Sequence, residues 1–299
     1  DGMIWTSDVA DGIVGAVETG ARVINLSLGS ENPSQALQSA TDYAHSRGVL
    51  VVASAGNCGD PSTYELNGCS KHNPVIYPAA NPHVLAVGAT TPYGTRGSFS
   101  EYGSFVDVAA PGVDILSTMW DNTYDYASGT SMASPFVAGL ASLVWSGNPA
   151  LSADQVAQII AGTATDLGPA GRDDEFGWGL INARAAVSAA YAGQAMAASA
   201  ATDAPPEPSA ARALAQEARA SDAPVRPGVV LVRPGAATSA AALPGLLGLA
   251  DVQVESESSP LGYVRLRVPE GQERDIAARL MAEGAVAFAE PDYLLTLWR

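Results

Sequence analysis

Apolar positions along the chain follow two rhythms. From Asp8 to Val17, Val9, Ile13, Val14 and Val17 recur at helical spacing, which predicts an amphipathic helix. Arg22 to Gly29 (RVINLSLG) is a β-rich run ending in glycine, and Pro33 to Ser46 reads as a second helix with Ala36, Leu37, Ala40, Tyr43 and Ala44 on one face. Val49 to Ala53 and Val84 to Val87 are continuously apolar, as strands buried on both faces are. Strand–helix–strand alternation predicts an α/β domain, a parallel sheet covered by helices. Sites in such sheets lie at the carboxyl ends of the strands, here Ser27-Leu28-Gly29 and Ser54-Ala55-Gly56-Asn57.

The pattern breaks at residues 193–227, where Ala, Pro, Ser and Glu dominate and no apolar period persists. That composition predicts a linker, with a transient helix over Arg212 to Ala220. Order resumes over 228–299. Val229 to Val232 reads as a strand, Ala240 to Leu249 as a helix, and Asp251 to Glu257 and Gly262 to Val268 as alternating strands. Glu270 to Glu283 is amphipathic and Val286 to Phe288 closes the set. The order β-α-β-β-α-β is that of a small ferredoxin-like α+β domain. The predicted organisation is therefore 1–192, a linker over 193–227, and 228–299.

Composition narrows the function. The 299 residues are 47% hydrophobic and carry a formal charge of −16, which argues against nucleic acid and anionic membrane as partners. No apolar stretch reaches membrane-spanning length. Cys58 and Cys69 bracket a loop, CGDPSTYELNGC, directly after Asn57. A bridge between them is the expectation; two free thiols, or an incomplete metal site with His72, are the alternatives. A bridge would stiffen the rim of a pocket beginning at Asn57 and imply an oxidising, exported setting.

The chemistry concentrates in Gly129 to Gly139, GTSMASPFVAG. Gly129 permits a tight turn, Thr130 and Ser131 suit a helix start, and Pro135 is expected in or near the first turn. Ser131 then sits in the positive field of a helix N-terminus, where free N–H groups can stabilise an oxyanion. A lone serine there would be a cap. The full string, however, resembles the nucleophile segment of the subtilases, the subtilisin-like serine proteases. INLSLG resembles their substrate-binding strand, which implies that Ser27, Leu28 and Gly29 pair with an extended peptide. SAGN resembles their oxyanion loop, which assigns that role to Asn57 and places Ala55 and Gly56 beside the substrate. YPAANPHVLAVGA, FSEYGSFVDVAAPGVDILST and GWGLINARAAV follow in the family's order, so the resemblance covers residues 1–192. It implies a truncated subtilisin-like sheet, peptide or protein substrates, an acyl-enzyme on Ser131 and an exported protein. It also implies calcium, with a weak site from carbonyls around Ala79 to Val84 and Asp107 as one expectation.

The family's triad runs Asp, His, Ser along the chain, from D-[ST]-G and H-G-T-x-V-A-G segments. Neither occurs here. His45 falls late in a helix, His72 in the loop after Cys69, and His83 before a core strand; none has the context of a catalytic base. The chain is expected to begin downstream of both partners and to be inactive alone. The ending AFAEPDY resembles the end of a subtilase propeptide, which implies inhibition within this chain or of another protease, with Leu294 to Arg299 lying in a cleft. The alternative function is accordingly a non-catalytic protease-binding module.

Overall fold

The computed structural model describes residues 3–192, 223–236, 238–248, 251–258 and 260–297. The linker and the helix expected over Arg212 to Ala220 lie outside the described residues, the first two residues of the linker segment's C-terminal end (223–224) and its last three excepted.

A four-stranded parallel sheet forms the core of the first domain. After a short β1 (Ile4–Trp5) come α1 (Thr6–Glu18), β2 (Val23–Leu26), β3 (Leu28–Gly29), α2 (Gln35–Ser46), β4 (Leu50–Ser54) and β5 (Val84–Thr90). β6 (Val108–Pro111), the exposed hairpin β7 (Ile115–Thr118) and β8 (Tyr124–Ala127), α3 (Thr130–Gly147), α4 (Ala153–Gly162) and α5 (Ala183–Tyr191) follow. The sheet order is β2-β4-β5-β6. Every residue of β4 and β5 is buried, which is why both read as unbroken apolar runs. One face packs on α3, α4 and α5 through Val52, Val87, Val137, Val144 and Trp145. The other packs on α1 and α2 through Ile24, Val51, Ile13 and Leu37.

The second domain comprises β9 (Val225–Pro234), α6 (Leu243–Leu247), β10 (Gln253–Ser258), β11 (Tyr263–Arg267), α7 (Glu273–Ala282) and β12 (Val286–Leu297). Its antiparallel strands lie in the order β12-β9-β11-β10, the ferredoxin-like arrangement expected. Alternation along β9 decides how the domains meet. Val230 and Val232 face the domain's own core with Leu243, Ile276 and Leu280. Val229 and Leu231 face the other way and join the cluster of Ile13 and Leu37. Successive strand residues point to opposite faces, so the continuous apolar run in β9 serves two cores. The sheet is a middle layer between its own helices and α1/α2.

Three boundaries differ from the sequence reading. β9 begins at Val225, three residues inside the expected linker, because Val225 pairs with Tyr293. The helix expected over Ala240 to Leu249 is a 3-10 turn at Ala240–Ala242 followed by α6; Gly248 ends it in the left-handed conformation, and Leu249 lies outside the described residues. β12 runs far past Phe288, for a reason that belongs to the site.

Candidate active site

α3 opens at Thr130 with Gly129 as its N-cap. Asn57, at the end of β4, faces it. The Asn57 side-chain oxygen accepts from both the Thr130 amide and the Thr130 hydroxyl, each at 2.9 Å. The Thr130 hydroxyl in turn accepts from the Gly56 amide at 3.1 Å. Two donors on Oδ1 fix the amide flip, so Nδ2 faces Gly129, where a Cβ would lie 3.0 Å away. Asn57 is 5% exposed and Ser131 7%. Asn57 is thus tied through Thr130 to the residue that precedes Ser131 at the start of α3. Thr130 was not singled out from the sequence as the residue that orients Asn57; its place beside Ser131 in the string was the available signal.

Pro135 lies in the second turn of α3, not the first. A proline there lacks the N–H that would bond the carbonyl four residues back, which is that of Ser131. The Ser27 hydroxyl supplies the missing donor, 3.0 Å from the Ser131 carbonyl oxygen, and also contacts the Ser134 hydroxyl at 3.0 Å. The Ser27 carbonyl accepts from the Ser131 hydroxyl at 3.4 Å. The strand end expected to hold substrate thus also braces the nucleophile's own turn.

Of the other expected substrate residues, Leu28 and Gly29 form β3 and pair antiparallel with Leu297 and Thr296 of β12. On its other edge β12 pairs with β1, Leu295 opposite Ile4 and Leu294 opposite Trp5. β12 is therefore long because the residues beyond Tyr293 go on pairing, Leu294 and Leu295 with β1 and Thr296 and Leu297 with β3. Ala55 and Gly56 form wall: the Ala55 amide bonds the Val87 carbonyl, and the Gly56 amide is held by Thr130. Gly56 has φ +112, and a Cβ there would overlap the Glu101 carboxyl group, so only glycine fits. Burial drives the Glu101 carboxyl well above its ordinary pKa, and the nearby Glu31 charge acts in the same direction.

No histidine approaches Ser131. His45 bonds Asp154 at 2.9 Å and stacks on His83, and His72 contacts the Gly59 carbonyl. Cys58 and Cys69 are disulfide-bonded, Cα to Cα 6.2 Å, as expected. The bridge closes the loop leaving Asn57, whose carbonyl accepts from Asn67 Nδ2 at 2.5 Å. Loop-closure entropy for a bridge of this span is worth about 3 kcal/mol, so Cys58→Ser with Cys69→Ser is expected to shift the urea midpoint down by that much stability. Thiol titration of denatured, unreduced protein should find no free thiol; two would remove the bridge from the account.

Asp107, the carboxylate expected among the weak calcium ligands, is tied to the backbone of β5. Its Oδ2 accepts from the Ala86 amide at 2.8 Å, and burial pushes its carboxyl up to about 6 against the pull of that bond and of Arg172. The shift has a stability consequence. The folded state holds a proton on Asp107 between about pH 4 and 6 that the unfolded chain has released, so stability falls as pH rises through that window. Asp107→Asn is expected to remove this slope, gaining about 2–3 kcal/mol on the wild type between pH 4 and pH 7.5. Thermal melts of both proteins across that range would show it; parallel curves would refute it.

The profile of the Subtilase family matches residues 1–179. Subtilisin BL of Lederbergia lenta is 44% identical over 186 residues, 62% of this chain and 64% of that protein. Subtilisin DY of Bacillus licheniformis is 45% identical over 182 residues, 60% of this chain and 62% of its own. Among solved structures, fervidolysin from Fervidobacterium pennivorans, described as a keratinolytic enzyme related to subtilisin, superposes with a TM-score of 0.54 at 35% identity. That match covers 61% of this chain and 29% of fervidolysin. These matches fall on the parallel α/β sheet that carries the serine at a helix start and the strand-end asparagine. The chain belongs to the subtilase family. It spans 64% of the length of subtilisin BL and 41% of that of the thermophilic serine proteinase of Bacillus sp. strain AK1. Among the described residues no helix is long and apolar enough to cross a membrane.

Proposed function

We propose that this chain carries the nucleophile, the oxyanion site and two substrate-binding strand edges of a secreted serine endopeptidase. The observation that carries the reading is the Asn57–Thr130–Ser131 arrangement. The Ser131 oxygen attacks a peptide carbonyl, its proton passes to an imidazole base and then to the leaving amine, and water releases the acyl group. Asn57 Nδ2 and the Ser131 N–H hold the oxyanion in both tetrahedral steps. The base is not among this chain's three histidines. The disulfide and the subtilisin relatives support export.

The C-terminal strand supports a second element of the reading. β12 pairs antiparallel with β3 at Thr296 and Leu297 as a product strand would, so the second domain acts as an occupant of its own cleft. A purely inhibitory module is not favoured, since the family match runs over residues 1–179, the part of the chain that carries Ser131 and Asn57.

The test is to fuse a subtilase segment bearing D-[ST]-G and H-G-T-x-V-A-G ahead of Asp1 and to assay peptide hydrolysis, with and without residues 223–299. Activity that disappears in Ser131→Ala supports the reading. A correctly folded fusion without Ser131-dependent turnover overturns it.

A further inference from the structure

On the face of the first domain away from the cleft, three elements bring together ligand-bearing side chains that catalysis does not use. His45 lies in the last turn of α2, His83 in the turn before β5, and Asp154 in the first turn of α4. The His45 Nε2 is 2.9 Å from Asp154 Oδ1, and the His45 and His83 rings are stacked with centroids 3.8 Å apart. One ligand atom from each residue lies within 4.8 Å of the other two. The residues are 38 and 71 positions apart in sequence, so only the fold gathers them.

We propose that His45, His83 and Asp154 form a binding site for a zinc-like divalent transition metal ion. Two imidazoles and one carboxylate are the donor set such an ion takes, whereas calcium takes oxygen ligands. An N-to-O spacing of 2.9 Å is near that of two ligands sharing one ion at about 2.0–2.1 Å each. The ion replaces the hydrogen bond between them. The stacked rings are within 10° of parallel, so convergence on one ion takes rotation of the His83 ring. That ring is on an exposed residue and can turn without disturbing the core. His83 adopts φ +64, a conformation that non-glycine residues seldom take and that directs its side chain at α2. Water fills the fourth position, the site being at the surface. The ion would tie the C-terminal end of α2 and the start of α4 to the entry of β5, and so raise the stability of the folded chain.

The full chain, treated with EDTA and dialysed at pH 7.5, is titrated with zinc chloride by calorimetry, and its Tm is measured with and without zinc. One equivalent binding below about 10 μM is expected, with Tm raised about 5 °C at a hundredfold excess over Kd. His83→Asn, which tolerates the left-handed backbone, and His45→Gln are each expected to weaken binding at least tenfold. His72→Gln leaves it unchanged. Cobalt at the same site should show the visible absorption of a four-coordinate ion, lost in His83→Asn. Binding weaker than 1 mM in the wild type, or an affinity unaltered by His83→Asn in protein of unchanged circular dichroism, overturns the proposal.

Discussion

Peptide hydrolysis by this chain alone is expected to fall about 10⁶-fold below that of a subtilase with a complete triad, the loss seen when the histidine or the serine is removed from a subtilisin. Among the described residues the Ser131 hydroxyl bonds to the Ser27 carbonyl, an acceptor that cannot take a proton. His45 and His83 are engaged with Asp154 and with each other, and His72 with the Gly59 carbonyl. Without a base the hydroxyl stays protonated and is a weak nucleophile. The oxyanion donors alone leave a residual rate about 10³–10⁴-fold above water in a subtilisin, and here β12 pairs with β3, the edge proposed for substrate. A chromogenic peptide assay at micromolar enzyme should therefore read background, and a fluorophosphonate should label Ser131 slowly. Turnover that vanishes in Ser131→Ala would contradict this directly.

How far the sequence reached is clearest from β4 and β9. β4 reads correctly because a strand buried on both faces is apolar throughout, and its end, SAGN, carries the residue proposed for the oxyanion. β9 also reads as apolar, but a sequence cannot say which layers it divides. That Val229 and Leu231 pack on α1 and α2 is set by tertiary contact. Pro135 reads as lying in or near the first turn because the cost of a proline inside a helix is local, while the remedy that lets it sit in the second, the Ser27 hydroxyl, is 104 residues away. Thr130 reads as a cap by propensity, and only the fold shows its hydroxyl given to Asn57 instead. The strand pairing of the C-terminal tail with Leu28 and Gly29 was legible through resemblance. The acids that anchor that tail were not picked out, although Glu290 and Asp292 sit two apart on a strand and so share a face.

Replacing both anchoring acids should release the tail while leaving both domains folded. Glu290 sits at the N-terminus of α2, where its carboxylate accepts from the Ser34 hydroxyl at 2.7 Å and from the Gln35 and Ala36 amides at 2.9 and 3.1 Å. Asp292 does the same for α1, taking the Ser7 amide at 3.0 Å and its hydroxyl at 2.7 Å, with Arg226 at 3.5 Å. Each thus satisfies helix-end donors and complements a helix dipole. Hydrogen bonds to a charged group contribute about 1.5–3 kcal/mol, so Glu290→Ala with Asp292→Ala is expected to weaken docking by about 3–5 kcal/mol. Amide exchange on the intact chain gives the readout. Exchange at Ile4, Trp5, Leu28, Gly29 and Leu294 to Leu297 should accelerate at least a hundredfold, while β4, remote from the contact, keeps its protection. The same carboxyls give a pH signature. Burial raises both above their ordinary values, against the opposing hydrogen bonds, so the docked state holds protons that the undocked state has lost. Docking is then tightest in acid, weakens as pH climbs from the ordinary carboxylate range through the raised values, and is flat beyond them. Glu290→Gln should remove its share of that dependence, leaving the part that Asp292 carries. Uniform exchange acceleration in β4 and β12 together would mean that the acids hold up the whole fold and not the docking of its tail.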